Sequence, residues 1–505
     1  MSEHDESSIT PLPLSIWDQS TSRFHIRLVL CFGVKNSQRA TVTAHLRTAL
    51  DKLSCSRPDI AGRLQLGTHE EARQGWVYLR QSPEFRIPFK TIDISSKAGY
   101  TYEELKERSF PAKAFVNPRF GYDGNNLNEH ESLVPVTAVR AFFVDGGLLL
   151  SIFVHHTFGD GECMLEVLHA FAAQTCGEQL PAKGTRSLDF TGVKTDGSVR
   201  GEMRTFEELL DECPEFVRTE PDLGPNQPTL RPGGKPQSEY VKDGKIFVFS
   251  TAAIEGLKDI VYEHDSSARR PSSYVVLASL LWAHSAKARL QTEEHDPEWG
   301  DANDATLTNP VNWRYRAFVD ANKDYYGNAA TLAQTKVTRQ DLLAACEDEA
   351  KWARLARTLE ACIRAVDDAY IRRRVEMFAR APDPRELGLV MDPRVPQDLA
   401  FNTWRDFGAD TEWDLGIGGG EEESGNCANG TNGTNGSGPA NGIKRRVKPD
   451  KLRRSQDDWN IGGTLILPAR KGSEDYEVLL TIPAPAMKLL CEDKEFGKWV
   501  KAVLD

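Results

Sequence analysis

Apolar and polar positions fall into two clear rhythms near residue 150. Residues 139–144 and 147–154 are nearly all apolar, and Asp145-Gly146 separates them. Both separating residues tolerate positive φ, so the stretch predicts a β-hairpin with a two-residue turn. From 162 to 173 the period changes: Met164, Leu165, Leu168 and Phe171 fall on one helical face. Between the rhythms stands the string 151–161, SIFVHHTFGDG. His155, His156 and Asp160 are therefore expected where a buried strand runs out, in the turn before a helix.

The same reading extends along the chain. Strands are expected at 23–34, 76–79, 245–250, in two parts of 305–336, and as a hairpin of 464–468 with 476–482. Helices are expected at 41–54, with Val42, Leu46, Ala49, Leu50 and Leu53 on one face, and at 252–262. The run 272–290 is a strongly apolar helix, 339–379 a long charged helix or helix pair, and 486–504 a closing helix. Residues 84–135 read as irregular, with turn signals at Asp123-Gly124 and Asn125-Asn126, and 375–400 as a second irregular stretch. Residues 181–244, polar and rich in Gly, Pro and Lys, read as a crossover between an N-terminal part (1–180) and a C-terminal part (245–505). Residues 419–447, with repeated Asn-Gly-Thr, cannot bury a core and are expected to be disordered.

Composition narrows the class. The 505 residues suffice for two or more cores, and 40% hydrophobic with 27% charged content is that of a soluble globular protein. A net charge of −12 argues against general nucleic-acid binding. No run approaches the ~20 apolar residues of a membrane span. The acidic, polar first residues have no secretory-signal order, and nine scattered cysteines show no pairing framework. Both features predict reduced thiols and a cytoplasmic location. Cysteine and histidine spacing predicts no metal site.

Histidine is the side chain whose ordinary pKa, about 6.5, suits proton transfer near neutrality. A His-His pair alone is more often a core or turn feature than a site, and His-x-x-x-Asp alone is likewise weak. The full string His155-His156-x-x-x-Asp160-Gly161, between strand and helix, is more specific. It resembles the active-site motif of CoA-dependent acyltransferases: the BAHD type, chloramphenicol acetyltransferase and peptide-synthetase condensation domains. Further segments resemble the BAHD type in the right order over almost the whole chain. They are Leu14-Ser-x-x-Asp18, Ala61-Gly-Arg-Leu64, Asn309-Pro-Val-Asn-Trp-Arg314, Tyr325-Tyr-Gly-Asn328, Asn402-Thr-Trp404 and Asp414-Leu-Gly416-Ile-Gly418. The closest flavour is the fungal branch that acylates hydroxyls of secondary metabolites, such as trichothecene 3-O-acetyltransferases. The sequence departs from the family at Asp414-Leu-Gly-Ile-Gly418, where the family has Asp-Phe-Gly-Trp-Gly. Lys448-Pro449, which normally follows directly, comes only after 419–447, so that run reads as an insertion. Asp406-Phe407-Gly408 is a second, competing match.

The resemblance implies an α/β fold: two similar chloramphenicol-acetyltransferase-like domains, mixed β-sheets flanked by helices, and an active-site channel at their interface. It implies an acyl-CoA, by default acetyl-CoA, as co-substrate, a small-molecule alcohol as acceptor, no permanently bound cofactor, and a monomer. His156 becomes the general base for direct attack through a tetrahedral intermediate, and Asp160 an orienting residue paired with Arg314. His155 and Gly161 are supporting. Asn402 and Trp404 are expected near the oxyanion and substrate. Ser272, Ser273, Gly327 and Asn328 are expected along the CoA, and Asp414, Gly416 and Gly418 in a folding role. Trp282, Trp313 and Tyr325 read as core. The basic run Lys444–Arg446 with Arg453-Arg454 reads as a solvated flank, or as attraction for CoA phosphates. The alternative is a protein of the same fold that does not use CoA: a carrier-protein-dependent condensation-like enzyme, a cyclase or a binding protein.

Overall fold

The computed structural model describes residues 11–67, 73–122, 127, 132–190, 204–221, 224–266, 269–292, 299, 303–418 and 446–505. Two large sheets organise it. The first has five strands. His25–Gly33 lies between Gly147–His155 and Lys451–Arg454; Thr137–Val144 and then Phe89–Asp93 extend it beyond Gly147–His155. The expected hairpin closes through Asp145 and Gly146, with Val144 opposite Gly147 and Gly146 at φ +78°. That φ is the conformation the turn requires. Alternation on His25–Gly33 sends Leu28, Leu30 and Phe32 into a core shared with helices Arg39–Ser56 and Gly161–Cys176. Val29 and Cys31 pack on the opposite face against Phe115, Phe120 and Phe142. The sheet is covered on both faces, which explains its nearly continuous apolar strands.

The second sheet has seven strands, with Lys242–Ser250, Asp304–Asn312, Ala330–Thr338, Leu399–Thr403, Gly463–Ile466, Asp475–Pro483 and Ala502–Leu504. Helices Thr251–His264, Ser273–Leu290 and Glu349–Arg364 cover it. Ser273–Leu290 is apolar on nearly all sides because it lies inside this layer. Trp282 and Trp313 are fully buried and Tyr325 nearly so, as expected.

Several expectations are corrected. Residues 84–135 contain the strand Phe89–Asp93, paired parallel to Thr137–Val144, and the capped helix Tyr102–Glu107. The 339–379 region holds three helices: Arg339–Ala344, Glu349–Arg364 and Asp368–Arg380. The closing helix stops at Glu492, and Ala502–Leu504 returns as an edge strand on Lys242–Ser250. The expected insertion lies outside the described residues except for its last two, and these pair with Trp413–Asp414 as the strand Arg446–Val447. The part expected to run 245–505 as its own unit lends Lys451–Arg454 to the first sheet. The expected crossover also contributes the strand Phe216–Arg218, which pairs with Leu387–Leu389. Among the described residues no helix is long and apolar enough to cross a membrane.

Candidate active site

His156 follows the last residue of Gly147–His155, and its backbone N–H donates to Phe24 O at 2.7 Å. Strand pairing of His25 with His155 brings Phe24 there, edge-on to the His156 ring at 5.5 Å. The ring's Nδ1 lies 3.2 Å from Asn328 Oδ1. The Asn328 amide has no freedom to turn, because its Nδ2 donates to Asp18 Oδ1 and to His156 O, both at 2.8 Å. Its Oδ1 must therefore accept, so Nδ1 of His156 carries the proton and Nε2 holds the lone pair. Burial pulls the His156 pKa below its ordinary value, against the raising influence of Asp160, Asn328 and Asp18. At neutral pH the ring is an unprotonated base.

Asp18 is the anchor that the sequence reading left out of the site. It is fully buried. It accepts from Ser15 Oγ (2.8 Å), Tyr325 OH (3.0 Å), Asn328 N (2.9 Å) and Arg186 Nη2 (3.1 Å). A sequence signal existed, since Ser15-x-x-Asp18 is a capping box and here caps the helix Ile16–Gln19.

Asp160 points away from the base. Its carboxylate caps the helix Gly161–Cys176, accepting from Glu162 N at 3.1 Å and Cys163 N at 3.4 Å. It also receives a fork from Arg314, with Nη1 to Oδ2 at 2.8 Å and Nη2 to Oδ1 at 3.1 Å, and Ala329 N at 2.8 Å. Burial alone would raise this carboxyl, but Arg314 and the N–H donors outweigh it and hold the pKa below the usual carboxylate value. Arg314 also donates from Nε to Tyr325 O at 2.9 Å and from Nη2 to Gly327 O. The pair thus fastens the turn after His156 to the 325–329 segment that carries Asn328.

His155 is fully buried, and its Nδ1 accepts from Thr157 N at 3.2 Å. Burial, with His25 and His156 alongside, holds its pKa well below 6.5, so it is neutral support and no second base. Gly161 is fixed by a neighbour: a Cβ there would lie 2.0 Å from Phe407 Cζ. Phe407 stacks at 5.7 Å on Trp404, so the Asp406-Phe407-Gly408 segment builds the wall of the site. Cys163 lies in the core, and burial pushes its thiol pKa up, away from nucleophilic use.

These groups border a cavity of about 600 Å³ that His156, Asn402, Trp404 and Phe407 all line. Asn402 Oδ1 accepts from Thr403 N at 2.7 Å, which leaves its Nδ2 donors uncommitted among the described residues. The expected CoA residues are placed differently. Asn328 lines the cavity, but its side chain is committed to His156 and Asp18. A Cβ on Gly327 would meet Tyr325 Oη at 2.2 Å, so that glycine serves packing against the ring. Ser272 caps Ser273–Leu290 through Val275 N, Ser273 Oγ lies 3.3 Å from Tyr476 OH, and neither lines the cavity. The Asp414–Gly418 element also lies apart. Gly416 N donates to Asp414 Oδ1 at 2.7 Å, and Gly416 sits at φ +71° against His45. Arg453 is no solvated flank: it is buried and bound to Glu477 at 2.7 Å and to the carbonyls of Ser109 and Phe110.

A family model, Transferase family, matches residues 94–401, and the chain belongs to that family. Among curated proteins the chain is 25% identical over 301 residues to Eremophilane O-acetyltransferase ORF8 of Penicillium roqueforti, covering 56% of this chain and 62% of that one. The match thus spans under two thirds of that relative, as it does for the similar prx11 of Penicillium rubens. The trichothecene 8-O-acetyltransferase of Fusarium sporotrichioides is 21% identical, with 97% of each chain covered. Among solved structures, F. graminearum TRI101 complexed with coenzyme A and T-2 mycotoxin superposes with a TM-score of 0.73 at 16% identity, covering 98% of this chain and 100% of that one. Vinorine synthase superposes with a TM-score of 0.57, also at 16% identity, covering 99% and 95%. These likenesses establish the two-domain α/β fold.

Proposed function

We propose that the protein is an acyl-CoA-dependent O-acyltransferase, with acetyl-CoA as donor and a hydroxyl of a small secondary metabolite as acceptor. The observation that carries this is the single proton-free nitrogen, His156 Nε2, left for the cavity by the Asp18–Asn328–His156 chain. An alcohol is far too weak an acid to ionise at neutral pH, so its attack on a thioester needs a base within hydrogen-bond reach. Nε2 takes the hydroxyl proton as the oxygen attacks the thioester carbonyl. The negative charge gathers on the former carbonyl oxygen, and Nδ2 of Asn402 and the indole N–H of Trp404 on the cavity wall are donors suited to it. Collapse expels the CoA thiolate, which the imidazolium protonates, and the base is restored. No covalent acyl-enzyme enters this route. The pairing of Asp160 with Arg314 supports an orienting role for it, outside the proton path.

The reading carries two finer expectations, a monomer and a cytosolic location. The first is the state the family resemblance implies, and the second is supported by cysteines scattered without a pairing framework. The test is thiol release from acetyl-CoA and longer acyl-CoAs, with and without a panel of hydroxylated metabolites, for wild type and His156→Ala. Release that disappears in the variant supports the proposal. Failure of every acyl-CoA to bind or turn over removes CoA as donor and moves carrier-protein or non-transferase activity ahead.

A further inference from the structure

One wall of the cavity carries a polar group that acyl transfer as described leaves unused. Arg454, Ser455 and Gln456 run consecutively along it. Arg454 ends the strand Lys451–Arg454 opposite Leu28, which in turn pairs with Ile152. Paired residues share a face, so Arg454 projects to the side of the sheet occupied by Leu28, Ile152 and, four positions beyond, His156. Strand geometry places its backbone about 10 Å across and about 13 Å along from that of His156. Both side chains line the same cavity.

The guanidinium of Arg454 makes no hydrogen bond or ion pair among the described residues. The carboxylates that border the cavity are occupied or lie at its rim. Asp160 is held by Arg314 at 2.8 Å, Asp457 by Arg27 at 2.7 Å, and Glu162 is exposed beside Tyr315. Burial and the neighbouring Arg27 push the Arg454 pKa down to about 10, so no nearby anion offsets its charge. Beside it, Ser455 Oγ and Gln456 Oε1 are buried and lack a partner among the described residues, with Ser455 2% and Gln456 4% exposed. An unpaired cation and two unsatisfied polar groups in one part-buried wall are costly unless a ligand completes them.

We infer that Arg454, with Ser455 and Gln456, forms a subsite for a carboxylate on the acceptor, so that the molecule acylated is a hydroxy acid. A carboxylate accepts two parallel N–H bonds from a guanidinium and a third from the Ser455 hydroxyl. The Gln456 amide, turned so that Nε2 faces the ligand, donates to the remaining carboxylate edge. The position favours the acceptor over the donor's phosphates. The pantetheine arm holds those phosphates far from the thioester, whereas Arg454 lines the same cavity as His156, Trp404 and Phe407.

This inference rests on the acyl-transfer reading only in calling the bound molecule an acceptor, so binding is tested apart from turnover. Calorimetric titration of the full chain at neutral pH uses 2-naphthoate and its neutral counterpart 2-naphthamide. Wild type is expected to bind the carboxylate at least tenfold more tightly, about 1.4 kcal/mol. Arg454→Gln is expected to bind the two within twofold of each other, and Arg454→Lys to keep part of the preference. Ser455→Ala, with all charges intact, is expected to weaken naphthoate alone. Thermal melts of each variant show that it is folded. Equal binding of both probes by wild type, or a preference surviving in Arg454→Gln, overturns the inference. So does an Arg454→Gln variant that loses only the discrimination between acetyl-CoA and its 3′-dephospho form, because the anion is then CoA's own phosphate. Naphthoate discrimination in a protein that releases no thiol from any acyl-CoA sustains the anion subsite and sinks the transferase reading.

Discussion

Asn328→Ala isolates the device that sets the tautomer of the base. The substitution removes the acceptor 3.2 Å from His156 Nδ1. It leaves Asp18 with donors from Ser15, Tyr325, Arg186 and the backbone N–H of residue 328, so no buried charge is stranded. A neutral hydrogen bond of this kind contributes about 0.5–1.5 kcal/mol net, a bias of roughly twofold to tenfold toward the productive tautomer. The ring also gains rotational freedom, with Phe24 still packed edge-on against it. Together these predict a fall in kcat of about tenfold to a hundredfold, or ~1.4–2.8 kcal/mol of barrier. His156→Ala removes the base itself and should cost about 10²–10⁴-fold or more. The assay is acyl transfer followed by thiol release across pH. In wild type the acid limb should lie below 6.5, because burial lowers the His156 pKa. Asn328 favours the protonated ring by accepting from it, so its removal lowers that pKa further and moves the limb to still lower pH. Activity within twofold of wild type, or a limb displaced upward, would refute the tautomer argument.

Asp160→Asn should act mainly on stability. It leaves Arg314 buried with a neutral partner, a loss of about 3–5 kcal/mol visible in urea melts. The native pair should make the protein acid-sensitive. A carboxyl whose folded pKa is depressed contributes its full stability above the unfolded value near 3.8, and that contribution is lost as pH falls through the lower folded value. Gly161→Ala drives a methyl into Phe407 and should cost about 1–3 kcal/mol by overpacking, with Phe407→Leu added in the same chain recovering part of it. No recovery would place the glycine requirement elsewhere.

The sequence by itself determined the parts of this protein that depend on near neighbours. The hairpin through Gly146, the helix that Asp160 caps and the apolar helix Ser273–Leu290 were legible because period and turn chemistry are local properties. The pairing of Asp160 with Arg314, 154 positions apart, was reached through family resemblance, since no spacing rule links them. Local signals failed where partners were distant or rhythm was weak. Phe89–Asp93 is a half-exposed strand with no clean alternation, and it forms by adding to Thr137–Val144. Ala502–Leu504 reads as more helix until the edge of Lys242–Ser250 offers it hydrogen bonds. Asn328 looked like part of a ligand-binding turn. Only folding set its amide between Asp18 and His156, and so assigned the proton on the base. Arg453 and Arg454 looked alike as a basic pair. Strand alternation then sent one to Glu477 in the interior and the other, unpaired, to the cavity. A side chain's chemistry is written in its own letter, but the groups that orient, neutralise or leave it unsatisfied arrive from anywhere in the chain, and only tertiary packing chooses them.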